Sequence, residues 1–340
     1  MNTDSRANGM KEHSNQDTRE PIFSFGIIAD VQHADIENGQ NFHRTRTRYY
    51  RSALGHLDKA ICHWNRQENI SFVLQLGDLI DGQNRRGGHQ TSVKAMELAL
   101  EHLNTFNGAT YSVVGNHELY NFKRKELIPH PIFSNVKKEL ENCICYQFTP
   151  VPGFRFVCLD QYSCALLGYD KTDEMYKKAE RYLRITNKNE DLNSPTGLHG
   201  AEKRFCKWNG SMTEDHLSWL EDVLQESDAR QERVIVYGHL PVYEPSCDLS
   251  CLCWNYEQVL QTLQRHACVV AYFCGHDHDG GAAIDERGIQ HITFQGVIET
   301  SPEVDCYATA HVYHDRIEVQ GHGRIPTYNI EFRNKTETNL

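Results

Sequence analysis

At 340 residues the chain is long enough for one large domain or two of ordinary size. Hydrophobic residues make up 39% and charged residues 24%, a balance that excludes disorder over most of the length. The 46 acidic and 35 basic residues give a net charge of −11, which excludes a nucleic-acid binder working through a broad basic face. A small anionic ligand held by a local positive centre, such as a metal ion, stays open.

Residues 1–20 are polar with no apolar stretch of the signal-peptide kind, and they read as a disordered N-terminal tail. Strand-like runs follow at Phe23–Ala29, Ser71–Leu76, Tyr111–Val114, Phe154–Leu159, Val234–Tyr237 and Val269–Phe273. They are rich in Val, Ile and Phe and do not alternate strictly, as expected of strands buried on both faces. Between them the spacing of apolar residues predicts helices over Arg44–Asn65 and Thr91–Phe106, and another over Met212–Gln225 with Thr213 as its cap. Ile289–Val319 reads as consecutive strands with turns at Asp285–Gly288 and His314–Asp315.

This alternation predicts an α/β fold whose sheets are covered by helices. Residues 21–325 are expected to form a single domain with an insertion at about 120–232, followed by a C-terminal tail at 326–340. The longest apolar run, Ala267–Cys274, has eight residues, whereas a bilayer span needs roughly 18. The expectation is a cytoplasmic monomer without membrane or nucleic-acid partners. Its twelve cysteines read as reduced thiols and not as a secreted disulfide framework. The one cysteine cluster, Cys247, Cys251 and Cys253, lacks a second pair to complete a zinc site.

The informative residues stand where apolar runs end: Asp30-Val31-Gln32, Gly77-Asp78-Leu79-Ile80-Asp81, Gly115-Asn116-His117-Glu118, Gly238-His239, and Gly275-His276-Asp277-His278. Ligands of open α/β sheets bind at the carboxyl ends of strands, so these endings can converge on one crevice. Each offers Asp, Asn, Gln or His, the oxygen and nitrogen donors used by divalent metals. Alone, GDxxDG is usually a turn and GNHE a capped helix start. The whole series, each member following a hydrophobic strand, is not explained that way.

In this order the motifs resemble the calcineurin-like metallophosphoesterases, over residues 23 to about 323. The Asp30-Val31-Gln32 variant, GNHELYNF, the NSPTGL loop at 193–198 and WNY at 254–256 are similar to the manganese-dependent branch of that family that acts on ADP-ribose and CDP-alcohols. The resemblance implies a β-sandwich flanked by helices, in four layers α/β/β/α, holding two divalent metals, with Mn²⁺ preferred and Mg²⁺ allowed. One metal would take Asp30, Gln32, Asp78 and His278, and the second Asp78, Asn116, His239 and His276, with Asp78 bridging. His117 would be the catalytic acid, Asp81 a support for its turn, and Glu118 a support for the ligands.

Most of the family has His where this chain has Gln32, and an amide oxygen is the harder donor, which tilts the site toward Mn²⁺ or Mg²⁺. The implied reaction is cleavage of a nucleotide diphosphate (ADP-ribose, CDP-choline, CDP-ethanolamine or CDP-glycerol) to a nucleoside monophosphate and a phosphorylated remainder. Phe42, Arg48, Leu198 and Cys251 are the candidate substrate contacts. The arginine-rich segment around Arg48 could equally be the solvated start of a helix. A cyclic-nucleotide phosphodiesterase of the same family, or a non-catalytic scaffold, are the alternatives.

Overall fold

The computed structural model describes residues 20–41 and 44–333. Residues 1–19, which include nearly all of the expected N-terminal tail, and Phe42 lie outside the described residues. In chain order the strands are β1 (Phe23–Ile28), β2 (Gly39–Gln40), β3 (Thr47–Arg48), β4 (Ile70–Gln75), β5 (Ala109–Ser112), β6 (Tyr146–Val151), β7 (Phe154–Cys158), β8 (Arg233–Tyr237), β9 (Val269–Cys274), β10 (Gly281–Ile284), β11 (Gln290–Thr293), β12 (Cys306–Val312), β13 (Arg316–Gly323) and β14 (Tyr328–Glu331). The helices are α1 (Ala53–Asn65), α2 (His89–Leu103), α3 (Asn116–Asn121), α4 (Arg124–Leu127), α5 (Glu174–Thr186), α6 (Glu214–Ala229) and α7 (Tyr256–Gln264).

Two six-stranded mixed sheets form the core, in the orders β14-β13-β12-β1-β4-β5 and β10-β11-β9-β8-β7-β6. Within the first, β1, β4 and β5 run parallel. Within the second, β7, β8, β9 and β11 do so. The sheets face each other across an aromatic seam: Phe156 of β7 meets Phe25 at 5.2 Å and Phe72 at 5.1 Å, both edge-on. Edge-on pairs of this kind contribute about 0.5–1.5 kcal/mol beyond their buried area. The central strands are buried end to end, which explains their unbroken apolar runs. A single apolar cluster extends through both sheets and the helices α1 and α2 packed on the first.

The six strand runs and the Thr213 cap lie close to where the sequence placed them. Thr213 Oγ1 accepts from the His216 N–H at 3.3 Å, closing the first turn of α6. The expected helix over Arg44–Asn65 is shorter: α1 begins only at Ala53, and Thr47–Arg48 pairs with Gly39–Gln40 as a small antiparallel ribbon. The Asn41 side chain accepts from Thr45 and Arg46 N–H groups, locking a turn where helix was expected. Tyr50, inside the expected helix, packs instead against Ala34 and Ile298. At the other end, residues 328–331 of the expected tail form β14, hydrogen-bonded along β13. The 120–232 stretch, expected as an insertion, supplies β6 and β7 to the second sheet.

Candidate metal centre

Parallel neighbours in both sheets carry the motif endings to one edge of the sandwich. Asp30 and Gln32 follow β1, Asp78 follows β4, and Asn116 and His117 open α3 after β5. From the second sheet, His239 follows β8, and His276 and His278 follow β9. All eight side chains are thereby brought together: Asp30, Gln32, Asp78, Asn116 and His239 are buried, and His117, His276 and His278 are partly exposed toward the cleft they line.

The backbone is strained where it delivers them. Asp30, Gln32, Asp78 and His276 adopt left-handed φ values of 52°, 48°, 56° and 70°. Each such residue costs about 1–3 kcal/mol and persists only where the surroundings impose it. Two glycines permit the close approach. Gly77 is itself left-handed and lies against the His239 ring, and a Cβ on Gly115 would collide with the Asp78 carboxylate. Glu118 holds the same turn, accepting the N–H groups of Asp78 at 2.9 Å, Leu79 at 2.7 Å and Gly115 at 2.9 Å. Burial and the nearby Asp78 charge push its carboxyl up to about 7.

The ring nitrogens show what these residues could hold. His239 Nδ1 donates to the Leu76 carbonyl at 2.8 Å, which leaves Nε2 a bare lone pair in the neutral ring. His276 gives its Nε2 to Asn209 Oδ1 at 2.8 Å, leaving Nδ1 bare. These two nitrogens stand 3.2 Å apart, with Asn116 Oδ1 at 3.1 Å and Asp78 Oδ2 at 3.3 Å from His239 Nε2. With both rings neutral these are four acceptors without a proton among them, and they call for a positive charge at their centre. Although burial disfavours charge on His239, the Asp78 carboxylate outweighs it and pushes that ring up to about 9.

The second donor set is built alike. His278 Nδ1 is fixed by Glu299 Oε1 at 2.8 Å, so Nε2 faces Asp30 Oδ1 at 3.4 Å and the Gln32 amide at 2.8 Å. That amide also lies 3.3 Å from Asp78 Oδ2, and its other terminal atom, Oε1, is buried without a partner. Rotating the amide by half a turn exchanges its nitrogen and oxygen and puts a hard oxygen donor among these groups. Asp78 Oδ2 is thus 3.3 Å from the Gln32 amide of one set and 3.3 Å from His239 Nε2 of the other. The residues present fit divalent cations, and the Asp78 carboxylate lies within reach of both donor sets.

Around the centre lies a cleft of about 290 Å³, lined among others by Asn41, Arg48, Tyr120, Trp208, Ser250 and Cys251. His117 borders it, with Nε2 3.9 Å from Asp78 Oδ2. Among the substrate candidates, Arg48 and Cys251 line the cleft, whereas Leu198 is buried outside the lining. Arg48 is already shared between Glu299 at 3.2 Å and Asp81 at 3.9 Å, which neutralises much of its charge. Sequence reasoning missed Glu299 and Asn209, whose roles come only from the histidines they hold. It also missed the wall residues Trp208 and Ser250, joined by a 3.2 Å hydrogen bond from the indole N–H to the Ser250 carbonyl.

The pattern of the calcineurin-like phosphoesterases matches residues 23–280. The chain belongs to the calcineurin-like phosphoesterase family. It is 42% identical over 322 residues to a Danio rerio protein named manganese-dependent ADP-ribose/CDP-alcohol diphosphatase, covering 92% of this chain and 99% of that one. The Homo sapiens protein of the same name is 41% identical, covering 91% and 93%. Among solved structures, a dimetal phosphatase from Danio rerio superposes with a TM-score of 0.89 at 43% identity, over 92% of this chain and all of the other. The α/β/β/α architecture expected from the motifs is therefore that of a calcineurin-like phosphoesterase, and its edge carries the centre described above.

Proposed function

We propose that the protein is a manganese-dependent hydrolase that cleaves the diphosphate bond of ADP-ribose and CDP-alcohols, releasing a nucleoside monophosphate and a phosphorylated ribose or alcohol. One observation carries the reading: Asp78 Oδ2 lies equally close, at 3.3 Å, to a donor of each metal set. The names of relatives at about 40% identity over nine-tenths of the chain point to the same chemistry. Asp30, Gln32, Asp78 and His278 would hold one ion, and Asp78, Asn116, His239 and His276 the other. Two divalent ions at such a centre clamp phosphoryl oxygens and lower the pKa of a water toward neutrality.

The protein's own groups supply the rest. His117 Nε2 points at the reacting region and delivers a proton to the departing oxygen. Its Nδ1 stands between the Gly82 N–H at 2.8 Å and Asp81 Oδ2 at 3.2 Å. The neutral ring accepts from Gly82 and keeps its proton on Nε2. The charged ring needs an acceptor at Nδ1, and Asp81 Oδ2, buried with no other hydrogen bond, provides it. Asp81 therefore serves the reaction as well as its turn. Cys251 and Trp208 would flank the nucleoside, and Arg48 would meet the second phosphate at the rim.

Mg²⁺ is expected to support slower turnover, and the working compartment to be the cytosol, with the chain a monomer. No helix among the described residues is long and apolar enough to cross a membrane. A rate comparison of ADP-ribose, CDP-choline and cyclic AMP with Mn²⁺ tests the substrate class. The two diphosphates should be cleaved and the cyclic diester should not, and preference for cyclic AMP would overturn the reading.

A further inference from the structure

A second convergence of metal donors lies away from the cleft. Cys143, Cys145 and His216 are all buried, and their donor atoms stand within 4.8 Å of one another. They come from separate parts of the chain: the two cysteines immediately precede β6, and His216 sits in the first turn of α6. Ser163, in the turn after β7, points its hydroxyl at the same ring nitrogen. None of these residues contributes to the candidate centre at the sandwich edge.

We infer that Cys143, Cys145 and His216 form a buried structural zinc site, with Ser163 Oγ in reach as fourth ligand. The spacing fits. Tetrahedral zinc with a Zn–S distance of about 2.3 Å and Zn–N of about 2.0 Å separates sulfur from nitrogen by about 3.5 Å, and nitrogen from oxygen by about 3.3 Å. Cys143 Sγ lies 3.6 Å from His216 Nδ1, and Ser163 Oγ lies 3.4 Å from the same nitrogen. The backbone is already anchored between the two sulfurs, where the Ile144 N–H donates to Asp160 Oδ2 at 2.8 Å. Asp160 is in turn paired with the buried Arg124. Little rearrangement is then left for an ion to impose.

The donor types separate this site from the other. Thiolates select zinc over manganese, whereas the oxygen-rich edge centre selects the harder ion. Two thiolates and a neutral imidazole around Zn²⁺ sum to zero charge, which a fully buried place tolerates. Contact with Cys145 and burial hold the free Cys143 thiol far above its ordinary value, so loading replaces two thiol protons with one Zn²⁺ and releases both protons. The bound ion would tie the start of β6 to α6, and complete burial would make its exchange slow.

The test is zinc content of the full-length protein, refolded with Zn²⁺, after prolonged EDTA and desalting, read by elemental analysis against protein sulfur. About one zinc per chain should remain. It should persist in His239→Asn, which disables the edge centre, and fall to background in Cys143→Ser/Cys145→Ser. Absence of retained zinc in the unaltered protein overturns the inference, as does its loss in His239→Asn with retention in the double variant. Should the double variant fail to fold, the unaltered protein refolded with Co²⁺ decides. A thiolate-to-cobalt charge-transfer band supports the site, and a spectrum without one contradicts it.

Discussion

His117 Nδ1 lies 3.2 Å from Asp81 Oδ2 at the edge of the metal centre, with the Gly82 N–H on its other flank. Burial opposes charge on this ring, but the Asp78 and Asp81 carboxylates outweigh it and hold His117 above its ordinary value. Replacing His117 by Ala should leave manganese content intact and lower turnover by about 10²–10⁴-fold. Asp81→Asn removes one source of the upward shift. An acid that must be protonated then fails at lower pH, so the alkaline limb of the rate profile should move down. A profile that stays in place would remove Asp81 from the proton's path.

Gln32 is expected to set the metal preference. Metal-stripped protein should regain activity with Mn²⁺ and not with Zn²⁺ alone, because the amide oxygen offers a harder donor than a ring nitrogen. Gln32→His should shift the preference toward Zn²⁺. Better recovery of the unaltered protein with Zn²⁺ contradicts this assignment.

Glu299 holds two residues of the centre, accepting from His278 Nδ1 at 2.8 Å and from Arg48 Nε at 3.2 Å. Groups that orient a metal-binding imidazole are commonly worth 10–100-fold in affinity or activity. Glu299→Gln should weaken the manganese dependence of activity by about 10–100-fold, with turnover at saturating Mn²⁺ little changed. A fall in turnover at unaltered manganese affinity would place Glu299 on the substrate instead.

Gly115→Ala tests the packing of the centre. The added methyl meets Asp78 Oδ1, which also accepts the His117 N–H at 2.7 Å, so the carboxylate must move. The variant should fold, as judged by far-ultraviolet circular dichroism, yet bind manganese poorly. Normal manganese binding would show that Asp78 has room this geometry denies it.

Stability should decline on acidification through a group outside the centre. Burial lowers the pKa of His56 from its ordinary 6.5. The unfolded chain therefore takes up a proton near 6.5 that the folded chain resists. The stability tied to the neutral ring is complete above that value and is lost as pH falls below it. Melting temperature should drop between about pH 7.5 and about pH 5.5, and less steeply in His56→Gln. An identical slope in the variant would assign the loss to other histidines.

The sequence carried the centre because its donors sit at strand ends, where short motifs and buried runs coincide. Asp30, Asp78, Asn116, His239, His276 and His278 could each be placed from neighbours a few residues away. Glu299 could not, since nothing around it marks a partner of His278, and its bond to Arg48 spans 251 positions. The same long-range pull, with the local turn at Asn41, replaced the expected helix start by the β2–β3 ribbon. Strand β14 was hidden for another reason: its burial alternates over only four residues, too few to separate strand from tail. Cys143 and Cys145 looked like ordinary buried thiols until the fold set His216 beside them.

The proposed centre should attack a diphosphate bridge and not a terminal phosphate. Phosphorus NMR of the products from ADP-ribose, with the Mn²⁺-loaded protein, tests this most directly. AMP and ribose 5-phosphate should appear in equal amounts, with no orthophosphate. Release of orthophosphate as the primary product would contradict the proposal.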